Sequence, residues 1–285
     1  MGKRNQKAFV VYSSPAGTTR HVAQVIINTL NDLGCEPRAY NLGDRTNRSK
    51  LNSEVKDLMN DCCLWIGSPV YFGYSVPPII EFIEQLPVNE GGFAVPFVTF
   101  GGVTSGIALY EMGKMLNEKG YAIIGSAKIL AIHSGMLQCE NPLGEGHPDS
   151  DDDSMIINLV RKVNSKLLSK PVQTLTLENL NYQQKDLRET MQKRSFKEVK
   201  QKAPPRQLDK EACTQCGICE ENCPTQAIKS DPYPQFGDEC ILCYNCVRLC
   251  QEKAIKTSID LSQAASMWRK MAEKYAERPL SQIFF

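Results

Sequence analysis

No segment of the 285-residue sequence approaches the ~18 consecutive apolar residues of a membrane-spanning helix. Its start, MGKRNQKAFVVY, passes from a short basic run into a strand pattern without the apolar core of a signal peptide. Both absences lead us to expect a cytoplasmic chain with no membrane partner. Lysine and arginine number 33 against 32 aspartates and glutamates, for a net charge of +1, so charge gives no argument for nucleic acid or an anionic membrane surface. Histidine is scarce. His21, His133 and His147 share no motif, and no Ser/His/Asp or Cys/His arrangement can be assembled by sequence proximity, so no catalytic residue is named. The Gly-rich Lys-Ser/Thr loop of an ATP site and the G-x-G-x-x-G of a dinucleotide site are both missing, which disfavours ATP and pyridine nucleotides.

Cysteine is abundant, with 12 in the chain. Cys35, Cys62, Cys63 and Cys139 are scattered through apolar or loop contexts and read as reduced thiols, not as a disulfide framework. The other eight fall in CTQCGICEENCP and CILCYNCVRLCQ, two copies of one pattern and therefore an internal duplication. Four thiolates drawn from one tight loop and one distant segment suit a cubane iron-sulfur cluster, and the spacing supplies that set twice. A pair of structural zinc sites is the alternative. Zinc more commonly uses paired CxxC knuckles separated by a longer stretch, whereas C-x2-C-x2-C crowds three cysteines into one small loop.

The first 170 residues or so alternate apolar runs of strand length with helical patterns, which is βαβ grammar. The expected strands are 8–13, 37–42, 62–67, 95–100 and 122–132, and the expected helices 18–33, 51–60, 77–85, 107–118 and 155–168. Strands this continuously apolar indicate an α/β fold with a doubly wound, five-stranded parallel sheet covered on both faces. Pro96 is tolerable if it opens its strand. Ligands of such sheets sit beyond the carboxyl ends of the strands. There the first loop, SSPAGTTR, ends in a helix start whose free N–H groups can cradle a phosphate, with hydroxyls from Ser14, Thr18 and Thr19. The plainer alternative has Ser14 as an N-cap and Gly17 permitting the turn. The loops GSPVYFGYS and FGGVTSG set aromatics among glycines, where a planar ring can be sandwiched, although Tyr71 and Phe72 also suit ordinary capping of the sheet.

Ser14-Pro15-Ala16-Gly17-Thr18-Thr19 resembles the phosphate turn of the flavodoxins, with Ala16 replacing a hydroxyl residue. Gly67-Ser68-Pro69-Val70-Tyr71-Phe72-Gly73 and Phe100-Gly101-Gly102 resemble the family's two ring-holding loops. This resemblance, over about residues 5–170, implies FMN as cofactor and Tyr71 as the stacking residue. The cysteine region, about residues 208–259, resembles the bacterial two-cluster ferredoxins. That implies one 4Fe-4S cluster on Cys213, Cys216, Cys219 and Cys250 and a second on Cys240, Cys243, Cys246 and Cys223, because the fourth cysteine of each run ligates the other cluster. Pro224 fits the run, and Gln251 stands where the second half would have its proline.

Together the halves resemble the flavodoxin-ferredoxin fusion flavoproteins of the ferrodoxin type, found mainly in anaerobic bacteria and archaea. The implied organisation is a flavodoxin-like FMN-binding domain at 1–170, a charged linker at 171–206, a small α+β ferredoxin domain at 207–260 and a C-terminal helix and tail at 261–285. Pro204 and Pro205 end any linker helix, so a solvated helix plus hinge is expected, with Lys193, Arg194, Lys197, Lys200 and Lys202 as an alternative docking patch for an acidic carrier. Asp149 to Ser154 is read as a helix cap and not a cation site. Met267, Trp268, Met271 and Tyr275 recur at helical spacing and are expected to pack on the protein itself. The implied function is electron transfer between the clusters and FMN, exchanging with a protein redox partner such as a ferredoxin, flavoprotein or reductase, and a homodimer is one expected assembly. A reductase acting on a small acceptor (quinone, metal ion or corrinoid) and a non-catalytic redox sensor are the alternatives.

Overall fold

The computed structural model describes residues 7–54, 62–89, 91–201, 203, 205–257 and 260–285. Its first part winds in the expected order: β1 (Lys7–Tyr12), α1 (Thr18–Asp32), β2 (Pro37–Asn41), α2 (Arg45–Glu54), β3 (Cys62–Tyr71), β4 (Tyr74–Ser75), α3 (Pro77–Gln85), β5 (Gly92–Phe100) and α4 (Ala108–Glu118). Then come β6 (Tyr121–Ile123), β7 (Ser126–Leu130), α5 (Ser150–Leu168), α6 (Lys185–Gln192) and α7 (Phe196–Lys200). The cysteine region holds β8 (Arg206–Leu208), α8 (Ile218–Glu221), β9 (Ile228–Ser230), β10 (Pro234–Phe236), α9 (Asn245–Leu249) and β11 (Ile255–Thr257). The chain finishes with α10 (Leu261–Tyr275) and β12 (Gln282–Phe284).

Five strands pair in parallel in the order β2-β1-β3-β5-β7, the order of a doubly wound sheet with its switch point between β1 and β3. Side chains alternate between two cores. Phe9, Val11, Leu64 and Ile66 pack with α3 and α4, while Ala8, Val10, Cys63 and Trp65 pack with α1 and α5. Both helix layers follow from sequence: Val22, Ala23, Ile26 and Leu30 make the buried stripe of α1, and Ile156, Leu159, Val160 and Val163 that of α5.

Several boundaries differ from expectation for identifiable reasons. The run 122–132 is two strands, β6 on the start of β5 and β7 on its end. Pro96 lies inside β5 instead of opening it. Its carbonyl accepts from Ser126 Oγ at 2.8 Å, so its missing N–H faces the gap where pairing passes from β6 to β7 and no ladder bond is lost. Helix α2 begins at Arg45, earlier than expected, because Asp44 Oδ1 accepts from the N–H groups of Thr46 and Asn47; residues 55–60 of the expected helix lie outside the described residues. Asp149 starts α5 in the same way, in a capping box with Asp152. At the other edge β12 adds antiparallel to β7 and buries Phe284, a strand hidden in SQIFF at the chain end.

The stretch 171–206 is not a solvated linker. Leu175, Leu180 and Met191 are buried, Tyr74 Oη donates to Met191 O at 2.8 Å, and Phe196 packs edge-on against Phe72 at 5.8 Å. Lys193, Arg194 and Lys197 are exposed, whereas Lys200 Nζ donates to Asp238 O; Lys202 and Pro204 lie outside the described residues. Among the described residues no helix is long and apolar enough to cross a membrane.

In the cysteine region β8 pairs with β11 and β9 with β10, all antiparallel. The duplication is written into the backbone: Gln215, Gly217 and Gln226 have positive φ in the first half, and Leu242, Tyr244 and Lys253 in the second, at matching places. Ile228 and Ile255 recur likewise and pack on the cysteines.

Candidate redox site

A cavity of about 310 Å³ opens at the carboxyl ends of β1, β3 and β5. Of the expected residues, Ala16, Thr18, Thr19, Pro69, Val70, Tyr71, Phe72, Gly73, Phe100 and Gly101 line it. Ser14, Pro15, Gly17, Ser68 and Gly102 are not part of that lining. Gly17 is the left-handed N-cap of α1, and Ser14 Oγ accepts from Arg20 N at 2.8 Å. The N–H groups of Ala16, Gly17, Thr18 and Thr19 take no partner among the described residues, as expected of an exposed helix start aimed at an anion. Thr19 Oγ1 is held by Thr99 Oγ1 at 2.8 Å, leaving the hydroxyl of Thr18 closer to the role expected of both. Ser68 shapes its loop: its hydroxyl donates to Pro69 O and accepts from Val76 N.

Tyr71 Oη is buried without a hydrogen bond of ordinary geometry, with the Ser134 hydroxyl close by, and a polar group of a ligand can complete it. Burial first, and the neighbouring Cys243 second, push the Tyr71 hydroxyl well above its ordinary value, so it is a donor at any physiological pH. Free N–H groups at the turn, small residues in the loops and this hydroxyl together fit a phosphorylated planar ring such as FMN.

The two ring-side loops touch at Gly106. Its φ is +57°, and a Cβ there would run into the carbonyl of Gly73, which accepts from Ile107 N at 2.9 Å. We expect Gly106→Ala to cost about 2–4 kcal/mol, from left-handed backbone plus overpacking, and to weaken flavin retention. Denaturant melts and flavin titration of the variant check both.

Sequence reasoning missed the walls. His133, Trp268, Met271 and Tyr275 line the cavity with Leu187 and Met191 of the former linker. His133 lies 4.5 Å from the Trp268 ring, and a Cβ on Gly101 would come within 2.8 Å of His133 Cβ. The helical spacing of Trp268, Met271 and Tyr275 was the available signal; their destination was not. Burial pushes His133 down to about 4. Between that value and 6.5 the unfolded chain takes the proton first, so stability should fall as pH drops through this window. Thermal melts at pH 7 and near 4 should show a smaller acid loss in His133→Gln than in the wild type.

The cysteines separate into two sets. Cys213, Cys216, Cys219 and Cys250 line one small cavity, and Cys223, Cys240, Cys243 and Cys246 line another. None is in a disulfide. Among the described residues no three cysteine sulfurs lie within 4.8 Å of one another. Backbone N–H groups of Leu242 and Ala254 each donate to a cysteine sulfur at 3.3 Å, that of Cys240 and that of Cys250. As thiols, Cys243 is pushed up to about 12 and Cys246 to about 11 by burial, a penalty that coordination to a cation removes by displacing the proton.

The 4Fe-4S binding domain family matches residues 206–229. Solved structures similar to the N-terminal part include a flavodoxin from the domain Archaea, at 19% identity and TM-score 0.45, covering 57% of this chain and 99% of that one. An NADH:FMN oxidoreductase (EmoB) in its apo form is similar at 19% identity and TM-score 0.45, covering 60% and 95%. The rubredoxin oxygen:oxidoreductase of the anaerobe Desulfovibrio gigas is similar at 17% identity and TM-score 0.43, covering 57% of this chain and 36% of that one. No curated protein matches the chain. The chain joins a flavodoxin-like fold to a ferredoxin-type 4Fe-4S segment.

These two parts are in contact. Ile241 and Cys243 belong to the core of the flavodoxin-like fold. Tyr244 lines both the large cavity and the second cysteine cavity, and Leu242 lines the large one. Tyr244 holds a φ of 56° where its counterpart is Gly217, a costly backbone for a bulky residue and thus a position held by its surroundings. Two arginines clamp the parts. Arg48 Nη2 of α2 donates to Pro224 O at 3.1 Å, and Arg248 Nη2 of α9 donates to Pro15 O at 3.2 Å.

Proposed function

We propose that the chain is an electron-transfer iron-sulfur flavoprotein carrying FMN and two 4Fe-4S clusters in one cytoplasmic unit. The carrying observation is the segment Leu242 to Tyr244, which belongs at once to the cysteine duplication and to the wall of the large cavity. Cys213, Cys216, Cys219 and Cys250 hold one cluster, and Cys223, Cys240, Cys243 and Cys246 the other. The turn Ser14 to Thr19 holds the phosphate, while Ser68 to Gly73 and Phe100 to Gly102 hold the ring, with Tyr71 stacked on it. A 4Fe-4S cluster supplies single-electron exchange and a flavin one- or two-electron chemistry, so their pairing converts between the two.

The protein's own part is placement and insulation. Cys216 is exposed, which sets the first quartet at the surface where a protein redox partner can approach. Cys243 and Cys246 are buried, which sets the second against the cavity wall. Tyr71, Phe100, Met191 and Trp268 exclude water from the ring site, and backbone donors to Cys240 and Cys250 temper the charge on their sulfurs.

Anaerobic preparation with iron, acid-labile sulfide and flavin counted per chain tests this reading. It requires about eight irons and one FMN. Zinc in place of iron, or no flavin, would sink it.

A further inference from the structure

The phosphate turn at the start of α1 is left without a cation by its own helix. Arg20 turns toward the hydroxyl of Tyr12, and His21 Nε2 pairs with Asp153 at 2.7 Å. The positive charge beside the turn comes instead from the ferredoxin-type segment. Arg248 sits on α9 between Cys246 and Cys250, and its Nη2 donates to Asn245 Oδ1 at 2.6 Å and to Pro15 O at 3.2 Å. Pro15 immediately precedes the four unpartnered N–H groups of Ala16 to Thr19. Arg248 lines a small pocket beside the large cavity, sharing Ser134, Gly135, Tyr244 and Trp268 with its wall, and acts electrostatically on Tyr71. Its Nη1 and Nε take no partner among the described residues. A planar guanidinium fixed through one nitrogen, with further donors in hand, suits the bidentate recognition of a phosphate.

We propose that Arg248 is a phosphate-binding residue of the flavin site, so that the ferredoxin-type segment completes the site built by the flavodoxin-like fold. The inference rests on the reading of the large cavity as an FMN site. It makes flavin retention depend on a helix flanked by two cluster cysteines, which couples the two cofactor sites in affinity as well as in space.

The test compares FMN with riboflavin, which presents the same ring without the phosphate. Dissociation constants of both are measured on the full chain with its clusters intact, for wild type, Arg248→Gln, Arg248→Lys and Arg48→Gln. Loss of a charge-assisted pair should weaken FMN binding about 10- to 100-fold in Arg248→Gln while leaving riboflavin unchanged. Arg248→Lys should fall between, since lysine keeps the charge and loses the fork. Arg48→Gln, which loosens the other clamp, should keep the wild-type ratio of the two affinities. Equal weakening of FMN and riboflavin by Arg248→Gln, no weakening at all, or the same FMN-selective loss in Arg48→Gln would overturn the proposal. A wild type that binds neither flavin overturns the FMN reading itself and this inference with it, a failure visible before any variant is made.

Discussion

Serine at Cys223 should remove the iron bound by the second half of the cysteine duplication, and serine at Cys250 the iron bound by the first. Each change runs against sequence order, because Cys223 follows the first triad and Cys250 the second. The cavities carry the expectation: Cys250 shares one with Cys213, Cys216 and Cys219, and Cys223 shares the other with Cys240, Cys243 and Cys246. Each variant should therefore fall from about eight irons per chain to about four. The residual absorption and EPR spectra should pair Cys223→Ser with Cys246→Ser, and Cys250→Ser with Cys219→Ser. Spectra pairing Cys223→Ser with Cys219→Ser instead would show that each half binds its own cluster, and would contradict the crossed arrangement.

The second large effect is expected far from any cysteine. Glu277 Oε1 accepts from Lys128 Nζ at 2.6 Å, and the carboxylate also takes Thr104 Oγ1, the N–H and hydroxyl of Ser105, and Gln183 Nε2. Side-chain exposure is 1% for Lys128 and 5% for Glu277, so neither charge can turn to water. Removing the carboxylate leaves the ammonium, the Thr104 hydroxyl and the Ser105 N–H without their acceptor, while Gln183 Nε2 keeps Ser105 Oγ and the Ser105 hydroxyl keeps Tyr182 Oη. Glu277→Ala should cost about 3–5 kcal/mol in denaturant unfolding. The double change Lys128→Met with Glu277→Leu should cost far less than the sum of the single changes, because it removes both charges together. Lys128 with its neighbours holds Glu277 below the ordinary carboxylate value despite its burial. A depressed carboxylate stabilises above its unfolded pKa, and that contribution is lost as pH falls through the folded value, so the wild type should lose this part of its stability in acid while Glu277→Ala has none to lose. Since Thr104 lines the cavity and Ser105 follows it, the same variant should also loosen the loop after β5.

The sheet and the helix start at the mouth of the cavity were legible because their physics is local. Apolar runs such as FVVY and CCLWIG, of strand length and rich in β-branched and aromatic residues, suit strands buried on both faces, and SSPAGTTR needs only its own backbone to make a helix start. The grouping of the eight cysteines into two sets of four was legible for a different reason, since their repeated spacing is itself a geometric constraint. What stayed hidden depends on distant partners. Glu277 and Lys128 look like ordinary surface charges until β12 and the stretch 171–206 enclose them. Leu187, Met191 and Phe196 were masked by the charges around them, so an amphipathic cover read as a wet linker. His133 gave no motif because its surroundings, Trp268 and Gly101, come from other parts of the chain. Arg248 was one basic residue among many until the fold set it beside Pro15.

The central claim is that the cysteine segment and the flavin cavity form one electron-transfer unit joined through Leu242 to Tyr244. Rapid anaerobic mixing with a reduced ferredoxin tests it most directly, following the flavin band in protein loaded with FMN and clusters and in protein loaded with FMN after the iron has been removed. Flavin bleaching should be fast in the first preparation and slower by orders of magnitude in the second. Bleaching at the same rate with and without clusters would contradict the claim and leave the flavin to be served at its own open edge.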